Sequence, residues 1–144
     1  MSTSKQRVLF ICTHNSARSQ MAEGFLNALY GDRYEGHSAG IEPLRVNPYA
    51  IKVMAEYGFD ISKHRSKSVE EFRAMRFDYV VTVCNQAREV CPFFPGGKAL
   101  HKSFEDLSTF KGSTYKVLKG TRRIRNEVKL WIERTFGKEH FASN

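Results

Sequence analysis

RVLFICTHNSARSQMAEGF, running from Arg7 to Phe25, changes character twice. RVLFIC is short, apolar and β-branched, the mark of a buried strand, and it ends on Cys12. THNSARS is polar and predicts a loop. Beyond it Met21, Phe25, Ala28 and Leu29 fall on one helical face, and Gly31 closes the pattern. A strand passing through a polar loop straight into a helix is the opening unit of a parallel α/β sheet.

The rest of the chain repeats that alternation. HSAG predicts a second strand running into a loop. PYAIKVMAEYG predicts a helix opened by Pro48 and closed by Gly58. SVEEF offers a capping box, Ser68 with Glu71, for another helix. FDYVVTVC is a strongly β-branched strand ending on Cys84, and a weaker strand is expected over Ala99 to Ser103. Val117, Ile124, Val128, Trp131 and Ile132 set out a long amphipathic helix reaching about Phe136. The expected fold is three-layer α/β/α around a central, mostly parallel four-stranded sheet. With no repeat, linker or low-complexity tract, residues 1–144 read as one domain. In open sheets of this kind ligands collect beyond the carboxyl ends of the strands, where Cys12 and Cys84 are both expected.

Composition narrows the function. The apolar run Val8 to Cys12 is too short for a signal-peptide core or a membrane span, so the chain reads as cytoplasmic. Its three cysteines are Cys12, Cys84 and Cys91. An odd number in a reducing compartment argues against a structural disulfide, and their spacing, with five histidines in no paired motif, argues against zinc. The formal charge is +8, and the stretch from Lys111 to Arg134 is strongly basic. A solvated helix face explains it better than nucleic acid does, because no RNA- or DNA-reading motif accompanies it.

CTHNSARS carries the chemistry. A loop wrapped between a strand end and a helix start directs several backbone N–H groups at one spot, and the helix terminus adds positive potential. The expected result is an oxyanion cradle formed by Thr13, His14, Asn15, Ser16, Ala17 and Arg18. Arg18 adds two parallel hydrogen bonds to a tetrahedral anion. The same field favours the thiolate of Cys12. Asn15 tolerates the left-handed backbone that the turn needs, and Ser19 can donate to the sulfur.

CTHNSARSQMAEGF resembles the active-site loop and first helix of arsenate reductases built on the low-molecular-weight tyrosine phosphatase fold. SAG at Ser38–Gly40, VVTVC at Val80–Cys84, Cys91 with Pro92, and FED at Phe104–Asp106 follow in that family's order. The resemblance implies arsenate as substrate, with phosphate as its analogue, and thioredoxin as external reductant with no bound cofactor or metal. It implies that Cys12 attacks arsenate and Asp106 is the general acid. Cys84 and then Cys91 resolve the adduct, leaving a Cys84–Cys91 disulfide. Arg88, one turn beyond Cys84, would steady a thiolate there, and NQARE would be a surface segment able to move. His14 stands where relatives often have glycine. Leu107 follows Asp106 where they usually have proline, which predicts a less constrained acid loop. Lys67 stands where some relatives have an aspartate that, with residues matching Asn15, Glu23 and Ser38, binds potassium; no such site is expected here. The alternatives are a tyrosine phosphatase using Cys12, Arg18 and Asp106, with side activity on aryl phosphates, and a non-catalytic anion or nucleic-acid binder.

Overall fold

A computed structural model describes residues 4–90, 94 and 97–137. Four strands, β1 (Gln6–Cys12), β2 (Tyr34–Gly40), β3 (Tyr79–Thr82) and β4 (Lys98–His101), form a wholly parallel sheet ordered β2-β1-β3-β4. Four α-helices accompany them: α1 (Arg18–Tyr30), α2 (Pro48–Glu56), α3 (Asn85–Val90) and α4 (Thr114–Phe136). The apolar run Val8–Ile11 is fully buried because β1 is flanked by strands on both sides and covered on both faces.

Side chains alternate across a strand, so the two faces can be told apart by their neighbours. Phe10 of β1, Tyr34 of β2 and Tyr79 of β3 all meet the ring of Phe136 at the end of α4, at 6.1, 5.0 and 6.0 Å. α1 shares this face: the Asn27 side chain brackets Gly36, accepting from its N–H at 2.7 Å and donating to its carbonyl at 3.1 Å. α2 is tied to α4 through Glu56, which accepts from Arg122 and Arg125. On the opposite face the rings of His37, Phe72, Phe77 and Phe94 pack edge to tilted edge at 5.5–5.9 Å. Each such aromatic pair adds about 0.5–1.5 kcal/mol beyond its area burial.

Three expectations are corrected in detail. β3 stops at Thr82, two residues short of Cys84, which immediately precedes α3. NQAREV, expected only as a surface segment, takes the form of that helix, with Asn85, Gln86, Arg88 and Glu89 exposed. SVEEF forms one turn of 3₁₀-helix, Val69–Phe72, in which the Ser68 hydroxyl accepts from Glu70 N–H rather than from Glu71, whose carboxylate is gripped by Arg65. Among the described residues no helix is long and apolar enough to cross a membrane.

Candidate active site

Cys12 is the last residue of β1, 1% exposed, and the five residues after it arch round to the start of α1 at Arg18. The arch is sewn down by its carbonyls. Those of Cys12, Thr13, His14 and Ser16 accept from the N–H groups of Ile41, Glu42, Leu44 and Asn47, at 3.2, 2.7, 3.1 and 2.9 Å. In a planar trans peptide the C=O of one residue and the N–H of the next point opposite ways. Carbonyls turned outward to this strap therefore turn the following N–H groups inward over the sulfur. Among the described residues nothing accepts from the N–H groups of His14, Asn15, Ser16 or Ala17. A set of convergent, unspent donors is an anion cradle.

Asn15 holds the turn at φ 49°. A non-glycine residue there costs roughly 1–2 kcal/mol, and the surroundings over-determine it. Its carbonyl accepts from Ser66 Oγ at 2.7 Å and Gln20 Nε2 at 3.1 Å, and its Oδ1 accepts from Lys67 N–H and Gln20 Nε2, both at 2.9 Å. Its Nδ2 donates to Ser19 Oγ at 2.7 Å, and Ser19 Oγ lies 2.8 Å from Cys12 Sγ. The serine oxygen is thus occupied as an acceptor, leaving its O–H for the sulfur. Gly40, opposite Cys12 in the sheet, makes the close packing possible: a Cβ there would stand 2.8 Å from Asn15 N and 2.9 Å from both His14 C and Thr13 O.

The cradle opens into a pocket of about 170 Å³ lined by Cys12, His14, Arg18, Leu44, Asp106 and their neighbours. Arg18 is 8% exposed; its Nη1 donates to Phe104 O at 3.2 Å, and its Nη2 lies 3.7 Å from Asp106 Oδ2. Asp106 caps a 3₁₀ turn, Leu107–Thr109: its Oδ1 accepts from Ser108 N–H at 2.9 Å, and its carbonyl from the Thr109 hydroxyl at 2.8 Å. With Leu107 itself buried, the acid loop is anchored without a proline, against expectation. Partial burial works to raise the Asp106 carboxyl, but the bonds from Ser108 and the charges of Arg18 and His14 outweigh it and hold the group below its ordinary value.

Cys84 is brought to the same loop. Its Sγ lies 3.4 Å from the hydroxyl of Thr13, the residue after Cys12, and accepts from Ala87 N–H at 3.4 Å at the head of α3. The donor observed at this sulfur is the backbone of Ala87 rather than Arg88, whose own N–H goes to Cys84 O. Cys84 is 5% exposed. Cys91 lies outside the described residues.

Behind the loop, Lys67 Nζ donates to Arg65 O at 3.0 Å and stands 3.5 Å from Glu23 Oε1, which also accepts from Ser38 Oγ at 2.6 Å. An ammonium therefore sits among the side chains named for potassium. Among the described residues no group of three or more His, Cys, Asp or Glu is arranged to hold a metal. A larger hollow of about 760 Å³ lies on the exposed face of α4, but neither Cys12 nor Cys84 lines it and the cradle is not part of it. Gln20, Ser66 and the 41–47 strap went unremarked in the sequence because their bonds to the loop join segments far apart in the chain or run through main-chain groups, and neither leaves a pattern there.

Comparison with known proteins agrees with this geometry. Residues 7–116 match the family model described as low molecular weight phosphotyrosine protein phosphatase. Over 130 residues the chain is 42% identical to arsenate reductase 1 of Staphylococcus epidermidis, covering 90% of this chain and 94% of that protein. Among solved structures, an arsenate reductase in its phosphate-binding state superposes with a TM-score of 0.76 at 32% identity, covering 92% of this chain and 98% of the other. A thioredoxin-dependent arsenate reductase of Corynebacterium glutamicum gives 0.63 at 29%, covering 94% and 65%. The match spans the first strand, the loop and every strand after it, and on that ground the chain belongs to the low molecular weight phosphotyrosine protein phosphatase family.

Proposed function

We propose that this protein reduces arsenate to arsenite through a three-thiol relay that thioredoxin resets. The observation that carries the reading is the Thr13 hydroxyl 3.4 Å from Cys84 Sγ, which sets a second buried thiol against the loop that holds Cys12. A phosphatase built on the same cradle would call on neither Cys84 nor Cys91. The relatives' names, arsenate reductase and thioredoxin-dependent arsenate reductase, favour the same choice.

In this reading the N–H groups of the loop and the two-pronged guanidinium of Arg18 bind the tetrahedral anion. Cys12 thiolate, steadied by Ser19, attacks arsenic, and one arsenate oxygen leaves as water after taking a proton from Asp106. Asp106 is ionised in the empty pocket, so it serves as acid only once the substrate has engaged Arg18 and brought its own charge, both of which favour the protonated carboxyl. Cys84 thiolate then attacks Cys12 Sγ, forming a Cys12–Cys84 disulfide. The sulfur–arsenic electron pair passes to arsenic, which leaves as arsenite. Cys91 attacks Cys84 Sγ and frees Cys12, and the Cys84–Cys91 disulfide goes to thioredoxin. Two thiols supply the two electrons that arsenic gains.

The test couples arsenate-dependent NADPH oxidation to thioredoxin and thioredoxin reductase, with an aryl phosphatase assay in parallel. Cys91→Ser should stop after one turnover with Cys12 bonded to Cys84 in non-reduced peptide maps. Sustained turnover by Cys84→Ser would discard the relay and leave the phosphatase reading in front.

A further inference from the structure

We propose that the His14 side chain is a second, pH-switched cation of the anion pocket, adding its affinity for tetrahedral oxyanions only when the imidazole is protonated. The inference rests on the oxyanion-cradle reading above and assigns a specific task to a ring that the loop's backbone does not need.

His14 lines the pocket together with Cys12, Arg18 and Asp106. Its Nδ1 lies 2.9 Å from Glu42 O. A carbonyl oxygen can only accept, so Nδ1 carries a hydrogen in either protonation state, and the ring's variable position is Nε2. Neutral, Nε2 presents a lone pair, which repels an oxyanion. Protonated, it presents an N–H, and the ring becomes a cation. Among the described residues Nε2 has no partner. The ring acts electrostatically across the pocket, since its charge is one of the influences that lower the Asp106 carboxyl.

The charge balance of the pocket gives this switch its leverage. Among the described residues that line it Arg18 is the one permanent cation, and Asp106 stands 3.7 Å from Arg18 Nη2, so the two largely offset each other. The strap that receives Nδ1 itself carries two charged residues, Glu42 and Arg45. In a Cys12→Ser protein, which carries no thiolate, a dianion entering this near-neutral pocket gains chiefly from N–H dipoles. Protonation of His14 converts that pocket to a net cation, and linkage then requires the bound anion to favour the protonated ring by the same factor.

Sulfate tests this, because it stays a dianion across the range used, so that only the protein titrates. A Cys12→Ser protein removes the nucleophilic thiol, and any proton that Asp106 takes up with sulfate is common to the proteins with and without His14, so it cancels in the difference between their slopes. Sulfate affinity measured calorimetrically should tighten about fivefold to tenfold between about pH 7.5 and about pH 5.5, the window in which an imidazole changes charge. In Cys12→Ser/His14→Asn the amide nitrogen replaces Nδ1 at Glu42 O, and the affinity should lose the part of the slope that His14 supplies. Cys12→Ser/His14→Gly, lacking any ring, should show the same reduced slope. Equal pH slopes with and without His14, or a flat profile with it present, overturns the proposal while leaving the cradle intact. Absence of sulfate binding at every pH overturns both.

Discussion

Gly40→Ala is the sharpest probe of the way the cradle is held. The added carbon would lie 2.8 Å from Asn15 N and 2.9 Å from His14 C and Thr13 O, whereas ordinary contact begins at 3.4 Å. All three atoms are main chain, so no side chain can swing aside. The loop must retreat by about 0.5 Å, or β2 must part from β1. Overpacking of this kind costs about 1–3 kcal/mol of stability. A 1 Å misplacement of reacting groups costs on the order of 10²-fold in rate, so about half that displacement should cost roughly tenfold. Reductase turnover should therefore fall about tenfold, and alkylation of Cys12 by iodoacetamide at mildly acidic pH should slow, as the inward N–H groups and Ser19 lose their aim. Urea unfolding of the same protein reads the stability part. Unchanged turnover and alkylation in a folded Gly40→Ala protein would refute the claim that this contact sets the loop.

Arg18→Lys keeps the charge but loses the fork, and turnover should drop by on the order of 10²-fold with unfolding hardly changed; a loss under threefold would count against two-pronged recognition. Because Lys67 Nζ already stands by Glu23, exchanging potassium for sodium should leave turnover unchanged, and clear activation by potassium would show that the ammonium does not serve as the cation. Glu56 is held down to about 2, first by the hydrogen bonds of Arg122, with burial opposing and Arg125 adding its own. Its folded value lies below its unfolded one, so its stabilisation is complete above the ordinary carboxylate value of 4.5 and fades as pH falls toward about 2. Urea midpoints of wild type and Glu56→Gln should differ near neutrality and converge in acid; a constant gap would refute the linkage.

Where a residue's job depends on periodicity or on its neighbours in the chain, the sequence declares it. Val8–Ile11 reads as a buried strand because every position is apolar, and α4 announces itself by spacing sustained over many turns. Cys12, Asn15, Arg18 and Ser19 were legible because a strand end, a turn and a helix start dictate what each must do. α3 was missed because six residues span less than two turns, too few for a period to emerge from NQAREV. Its head also ends β3 early, placing Cys84 under an N–H donor rather than at a strand tip. The closeness of Gly40 to the loop is a property of two segments meeting, and neither segment alone encodes it. Nor could Leu107 reveal that Ser108 and Thr109 would fix the aspartate that precedes it.

The strap has a bearing on which sequences could carry this site at all. It grips the loop with main-chain groups, the N–H groups of Ile41, Glu42, Leu44 and Asn47 and the Glu42 carbonyl that accepts from His14, so its side chains are largely free to drift. What is forbidden at those places is an imino acid, which has no hydrogen to give. Pro43 falls in the gap between two donors, and Pro48 falls one residue past the last of them. Variation in this stretch can therefore reshape the rim of the pocket, at Leu44 for instance, while the machinery beneath keeps its form. The design separates the choice of guest from the means of holding it.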